Sequence, residues 1–312
     1  MYTISGSLSW TRRTVRVVGG SVVVAGSGAR GRASTGDCLT GRAGGWHNGA
    51  MSPDPRHGPL SLPGTSSVGV LVLHGFTSTT ASVAQWARAI HTAADDDGAH
   101  PGVRVPLLPG HGTRWQDLAG QHWQDWRDAV DAEYWALRRE HEHVVVCGLS
   151  MGGALALHTA ARRDVAGVLL VNPALALVNR MARFSHVLAP AVPSLEGIGS
   201  DIKHPAGLES AYDRTPLAAV AQLNTLMHHT VRMLPAVTAP AVVFRSDEDH
   251  VVSGSSADLL ARRSRGEVLV VPLHESYHVA TLDRDAPVVE ATSRDAVQRL
   301  SRGEPFLHGD RA

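Results

Sequence analysis

Lysine is almost missing from this chain: of its 29 basic residues only Lys203 is a lysine, which reads as a coding bias and not as a functional signal. Cysteine is equally scarce. Cys38 and Cys147 cannot build a disulfide framework, so a reducing, cytoplasmic setting is the expectation. Net charge is absent as well. Bases and acids balance at 29 each, which argues against nucleic acid or an anionic membrane as partner. No apolar run approaches the ~18 residues that a membrane-spanning helix needs, and no repeat with a period of ~20–50 residues appears. What remains is a 312-residue chain, 43% apolar and 19% charged. That excludes bulk disorder and suffices for one large α/β domain or two small ones.

The even balance hides a skew. Residues 1–50 hold eleven glycines, six arginines and a single acid, Asp37, leaving a net charge of −5 on the rest. This segment has no helical period and is expected to be a disordered extension, with Met51 as an alternative true start. Two other readings stay open. Val15–Val18 and Val22–Val24 flank Gly19-Gly20 as in a small hairpin. Arg12-Arg13 also resembles a twin-arginine export signal, although glycines and Arg16 break the apolar stretch and no A-x-A site follows. An organised domain is expected to begin only near Val68.

From there, apolar runs alternate with helical periods. Strands are predicted at Val68–Leu73, Val103–Pro106, Val144–Cys147, Val168–Val171, Val242–Arg245 and Val268–Val271. Helices are predicted at Ser82–His91, Trp123–Arg139, Met151–Arg163, near Ala257–Arg263 and at Pro287–Leu300. Short Val/Leu strands between helices are buried on both faces, hence a mostly parallel sheet in a three-layer α/β fold. More than sixty residues between Pro173 and Pro240 break the alternation. A structureless loop of that length is improbable in a compact domain. Residues 174–235 are therefore expected to form a helical cap over a core of residues 68–173 and 236–305. Its methionines Met181, Met227 and Met233 suit an acyl chain, because unbranched thioethers fill irregular space.

The most informative segment runs Val144-Val145-Val146-Cys147-Gly148-Leu149-Ser150-Met151-Gly152-Gly153. A strand, then Gly-x-Ser-x-Gly, then a helix is the context in which a serine sits on a strained turn as a nucleophile. The helix start favours the anion of acyl transfer. Two backbone donors should complete an oxyanion hole. One is Met151, after the nucleophile; the other is Phe76, in His74-Gly75-Phe76-Thr77 after the first core strand. His74 reads as a brace for that loop, and His111 as a loop former that borders the site.

In this arrangement acid and base follow the serine in that order. Ser246-Asp247-Glu248-Asp249-His250-Val251-Val252 offers three acids, and Asp249, directly before the residues that lock the turn, fits best. Pro272-Leu273-His274-Glu275-Ser276-Tyr277-His278-Val279 offers two bases, and His278, deeper in the loop, fits best. Ser150, Asp249 and His278 then form a triad. His274 to His278 also spells H-E-x-x-H, but a zinc site requires both histidines on one helical face. Here they follow a valine-rich strand and Pro272, no third ligand is evident, and no metal or organic cofactor is expected. The pairs His141/His143 and His228/His229 read as solvated faces.

These motifs, with Gly110-His111-Gly112-Thr113, Ile198-Gly199-Ser200-Asp201-Ile202-Lys203, Ala211-Tyr212-Asp213-Arg214-Thr215-Pro216 and Ser276 to Asp283, resemble the bacterial monoacylglycerol lipase and carboxylesterase family of α/β hydrolases, from about Val68 to Val289. The resemblance implies an α/β-hydrolase fold. It implies a serine hydrolase of carboxylic esters, best of short- and medium-chain monoacylglycerols, with a generic carboxylesterase as runner-up. It implies the same triad and oxyanion donors, Ile198 in the acyl tunnel and Glu209 on the alcohol part of the ester. Three departures stand out: an insertion at Asp95–Pro101 expected near the rim of the site, Ser253 where the family often has proline, and residues 1–50. A zinc hydrolase through His274 and His278 and a non-catalytic hydrolase-fold binding protein are the alternatives from other classes. Oligomeric state is not legible.

Overall fold

A computed structural model describes residues 15–17, 57–197, 200–205 and 209–307. Among the described residues, three strands precede the first helix: β1 (Val15–Val17), β2 (Leu60–Leu62) and β3 (Val68–Leu73). Alternation follows through α1 (Ala81–His91), β4 (Gly102–Val105), α2 (Trp115–Ala119), α3 (Trp123–Glu140), β5 (His143–Leu149), α4 (Met151–Ala160) and β6 (Gly167–Val171). The excursion then holds α5 (Ser185–Leu188), β7 (Ser194–Glu196), β8 (Arg214–Pro216) and α6 (Leu217–Met233). The chain closes with β9 (Ala241–Ser246), α7 (Ser255–Arg263), β10 (Val268–Leu273) and α8 (Ala286–Ser301).

Eight strands form one sheet in the order β1-β10-β9-β6-β5-β3-β4-β2, parallel throughout except for β2 against β4. Every residue of β3 and β6 is buried, as continuous apolar runs require when both faces are covered. One core layer lies under α1 and α8 through Trp86, Ile90, Val289 and Val297; the other lies under α3, α4 and α6 through Trp126, Leu155 and Leu226. In α3 the buried positions Trp123, Trp126, Val130, Tyr134 and Leu137 recur every three or four residues, one face of a 3.6-residue helix. All ten residues of α4 are buried, so this helix is apolar all round. The strand order reverses beside β3: the chain leaves to β4, then returns across β3 to β5. Ligands of open α/β sheets bind beyond the carboxyl ends of strands at such a switch point.

Several boundaries move. Leu60–Leu62 pairs antiparallel with Val103–Val105, so order begins before Val68; the three-residue strand is too short to show a period. Val15–Val17, inside the segment expected to lack structure, pairs in parallel with Val268–Val270. The rest of residues 1–50, including Arg12-Arg13, lies outside the described residues. The excursion is not helical throughout, since β7 and β8 make an antiparallel ribbon. His141, expected on a solvated face, is buried and its Nδ1 lies 3.0 Å from the Ser66 carbonyl. Residues 95–101 precede β4, at the amino end of the parallel strands, and line no part of the cavity described below. The insertion therefore sits away from the site rim. Among the described residues, no helix is long and apolar enough to cross a membrane.

Candidate active site

Ser150 stands between β5 and α4 with φ 54° and ψ −113°. An L-residue rarely adopts that backbone, and it persists because the turn around it is over-determined. A Cβ on Gly148 would collide with the Gly152 carbonyl, and one on Gly152 with Leu73 O, so the elbow closes only with glycine at both positions. The Ser150 N–H donates to Val171 O, and Ser150 O accepts from Ala154 N and Ala174 N. Met151 begins α4. Its N–H and that of Phe76 are engaged by no other acceptor among the described residues. Phe76 borders the cavity that Ser150 enters.

The loop carrying Phe76 is braced from behind. His74 is fully buried, its Nδ1 2.9 Å from Gly75 O, while its Nε2 accepts the Leu108 N–H at 3.1 Å. Burial pulls its pKa down to about 4, so the ring is neutral and fixed in one tautomer. His111 stacks edge-on against it at 4.9 Å, and burial pulls its pKa to about 3. His111 is absent from the cavity wall, so it packs behind the loop and does not border the site.

Asp249 follows β9, and His278 follows β10. Asp249 Oδ1 accepts the N–H groups of Val251 and Val252 at 2.9 and 2.8 Å; its Oδ2 lies 2.8 Å from His278 Nδ1. Both side chains are nearly closed to solvent, at 6% and 7% exposure. The carboxylate thus fixes the imidazole with Nε2 turned away from it, toward the cavity shared with Ser150. Ser150 Oγ makes no hydrogen bond to the ring among the described residues, and the two side chains border the same cavity. His274 is not in a helix. It lies in the loop after β10 and pairs with Asp247, so His274 and His278 serve different carboxylates. Among the described residues no three His, Cys, Asp or Glu side chains converge as metal ligands.

The cavity measures about 430 Å³ and runs from Ser150 and His278 under the excursion. Its wall is apolar, through Leu177, Leu188, Leu195, Leu217, Val220 and Leu223. Met227 and Met233 take no part in it, and the Met181 side chain lies outside the described residues; branched aliphatic side chains shape the space. Leu188, Val192 and Leu195 also face solvent at its mouth. Glu209 borders it, and burial raises the Glu209 carboxyl above its ordinary range, opposed by the neighbouring Ser78 hydroxyl and by His278. Ile198 lies outside the described residues. Ser253 N donates to Ala176 O at 2.8 Å, a bond that proline at that position forfeits.

Sequence reasoning missed Asn172. It follows β6 with φ 43°, its amide donates to Ser246 Oγ and to His278 O at 2.9 Å, and its Oδ1 accepts the Ser246 N–H. One side chain thereby joins the ends of β6 and β9 to the histidine loop. The signal was available: asparagine tolerates the left-handed region best among L-residues, and it stands here between a strand and Pro173. Tyr212 carries no role that the sequence announces. Its hydroxyl donates to Gly110 O and accepts from Thr113 N, tying the excursion to the loop after β4.

The model of the alpha/beta hydrolase family matches residues 70–291. A thermostable monoacylglycerol lipase of a Bacillus species is 39% identical over 225 residues, 71% of this chain and 87% of that protein. A carboxylesterase of Bacillus subtilis is 25% identical over 238 residues, 74% of this chain and 92% of that one. Among solved structures, a metagenome-derived lipolytic enzyme superposes with a TM-score of 0.74 at 33% identity, covering 78% of this chain and 98% of its own.

Proposed function

Because the chain belongs to the alpha/beta hydrolase family, we propose that it hydrolyses monoacylglycerols through an acyl-enzyme on Ser150. It is a carboxylic ester hydrolase, as are the relatives that match most of its length. The observation that carries the finer reading is the buried Asp249–His278 pair, whose imidazole borders an apolar cavity that Ser150 enters from a strained turn.

Asp249 keeps a proton on His278 Nδ1, leaving Nε2 free to accept. Ser150 Oγ attacks the ester carbonyl carbon and gives its proton to Nε2. The N–H groups of Phe76 and Met151 receive the oxyanion. Collapse expels the alcohol, which takes the proton from His278. Water then attacks the acyl-serine by the same proton route and releases the acid. The aliphatic wall receives the acyl chain, and Glu209 accepts a hydroxyl of the glycerol. Apolar side chains at the mouth suit an amphiphile. Cys147, a buried free thiol, suits a reducing compartment such as the cytoplasm.

A panel of monoacylglycerols and nitrophenyl esters of graded chain length tests this, with Ser150→Ala as the control. Turnover should peak at medium acyl chains on glycerol, fall ~10⁴-fold or more in the variant, and a phosphonate should label Ser150. Equal use of alkyl and glyceryl esters would favour the generic carboxylesterase.

A further inference from the structure

Residues 200–205 act as a strap across both loops that bear the acid and the base. Asp201 is the centre of it. Its Oδ2 lies 3.1 Å from the His278 N and 3.3 Å from the His250 N, and accepts both N–H groups. Its Oδ1 lies 2.8 Å from His250 Nδ1, and its main-chain carbonyl accepts the Val279 N–H at 3.1 Å. Asp283 answers from the other side. It is buried, and its two oxygens accept the N–H groups of Lys203 and His204 on the strap and of Tyr277 and Arg284 around the base. Asp201 itself is only 14% exposed. A carboxylate seldom sits so nearly closed to water unless it is fully used. Here it receives three donors from two loops that share no direct backbone bond with each other in this region.

We propose that Asp201 is a positioning residue for the hydrolysis: its carboxylate sets the backbone of His278 against the loop of Asp249, so the excursion that encloses substrate also holds the base in register. The proposal rests on the triad reading above. Asp249 fixes the imidazole through Nδ1 and the Asn172 amide holds the His278 carbonyl, which leaves the amino side of that residue free to shift. Asp201 removes that freedom by gripping the same residue at its main-chain nitrogen. His250, which borders the cavity beside it, is the exposed end of the grip.

The test uses the full chain and p-nitrophenyl acetate, whose two-carbon acyl group leaves most of the aliphatic wall empty. Displacing a catalytic group by ~1 Å costs ~10²-fold in rate. Asp201→Ala should therefore lower kcat ~30–100-fold with KM changed less than about threefold. Asp201→Asn, whose remaining oxygen can still accept from His278 N and His250 N, should recover kcat to within about fivefold of the parent. Asp201→Glu keeps the charge but sets the acceptors one methylene too far. It should lose about tenfold in kcat with unfolding temperature nearly unchanged, which keeps the test sound if the alanine chain does not fold. A wild-type kcat in the alanine or glutamate chain, equal losses in the alanine and asparagine chains, or a rise in KM alone would overturn the proposal. Ser150→Ala, run alongside, separates the two failures: activity that survives it sinks the triad, whereas its loss beside an indifferent Asp201 sinks only the strap.

Discussion

Asp247 and His274 form a second carboxylate–imidazole pair, 2.6 Å apart, two and four residues upstream of the pair made by Asp249 and His278. The two differ in burial. The upstream side chains are 45% and 68% exposed, against 6% and 7% for the inner pair. Water screens the outer pair, so it contributes little to stability and holds no ring in place. Asp249→Asn should thus cost ~10⁴-fold in kcat by favouring the wrong tautomer of His278. Asp247→Asn and His274→Ala should each cost less than about tenfold. Steady-state kinetics on one nitrophenyl ester decides it, and a reversal of the two asparagine effects would move the acid to Asp247.

Asn172 offers a prediction that separates strain from bonding. Alanine there leaves Ser246 N and His278 O without their partner, at ~1–3 kcal/mol for a buried group, and keeps a Cβ at φ 43° without the side-chain amide that makes asparagine tolerate it. Glycine loses the same bonds but tolerates that backbone. Both variants should lose roughly tenfold in kcat as the histidine loop slackens. In thermal unfolding the glycine chain should be the more stable of the two. Equal stability would mean the left-handed backbone relaxes without cost.

Three buried histidines predict acid sensitivity. His74 and His158 have pKa values lowered to about 4 and His111 to about 3, each chiefly by burial. An unfolded chain protonates them near 6.5, so between these limits the unfolded state binds more protons. Their contribution is complete above pH 6.5 and lost as the pH falls below it, at up to ~1.4 kcal/mol per pH unit for each ring. Urea unfolding at pH 7 and at pH 5 should show the drop. His158→Gln, which cannot titrate, should flatten it, and an unchanged slope would remove that histidine from the account.

Much of this site was legible because its chemistry is local. Val144 to Gly153 is strand, turn and helix in ten residues, and such a turn requires glycine on both sides of the serine. The strands β3, β5 and β6 announced themselves as unbroken apolar runs. What escaped depends on contacts across the chain. Leu60–Leu62 and Val15–Val17 are too short to carry a period and exist only because β4 and β10 offer open edges. His141 looks solvated beside Glu140 and Glu142, yet it fills the space left by Gly69 and Gly102. Composition does not show that Met227 and Met233 stay out of the cavity wall, or that the ribbon of β7 and β8 brings Leu195 there.

The proposed function gives Glu209 the choice of alcohol. A monoacylglycerol differs from an alkyl ester by two free hydroxyls, which lose water as the excursion covers them and must find acceptors. Glu209 borders the cavity together with Ser150 and His278, and its backbone N–H donates to Ser200 Oγ at 3.3 Å. A hydrogen bond from a hydroxyl to a charged carboxylate contributes ~1.5–3 kcal/mol, or roughly 10–150-fold in specificity. Glu209→Leu should lose that much kcat/KM on a monoacylglycerol while the nitrophenyl ester of the same acid stays within about twofold. The preference should also depend on pH. Burial raises the Glu209 carboxyl above the ordinary 4.5, so the group gains its proton earlier on acidification than a free glutamate does. A protonated carboxyl is the weaker acceptor, so the ratio of glyceryl to nitrophenyl turnover should fall as the pH is lowered through that raised value. Taking the ratio cancels any pH dependence of the chemical step that both esters share. The leucine variant should show a low ratio at every pH. If both esters lost activity equally, Glu209 would be shaping the excursion instead of reading the alcohol, and a pH-independent ratio in the parent enzyme would exclude its charge from the recognition.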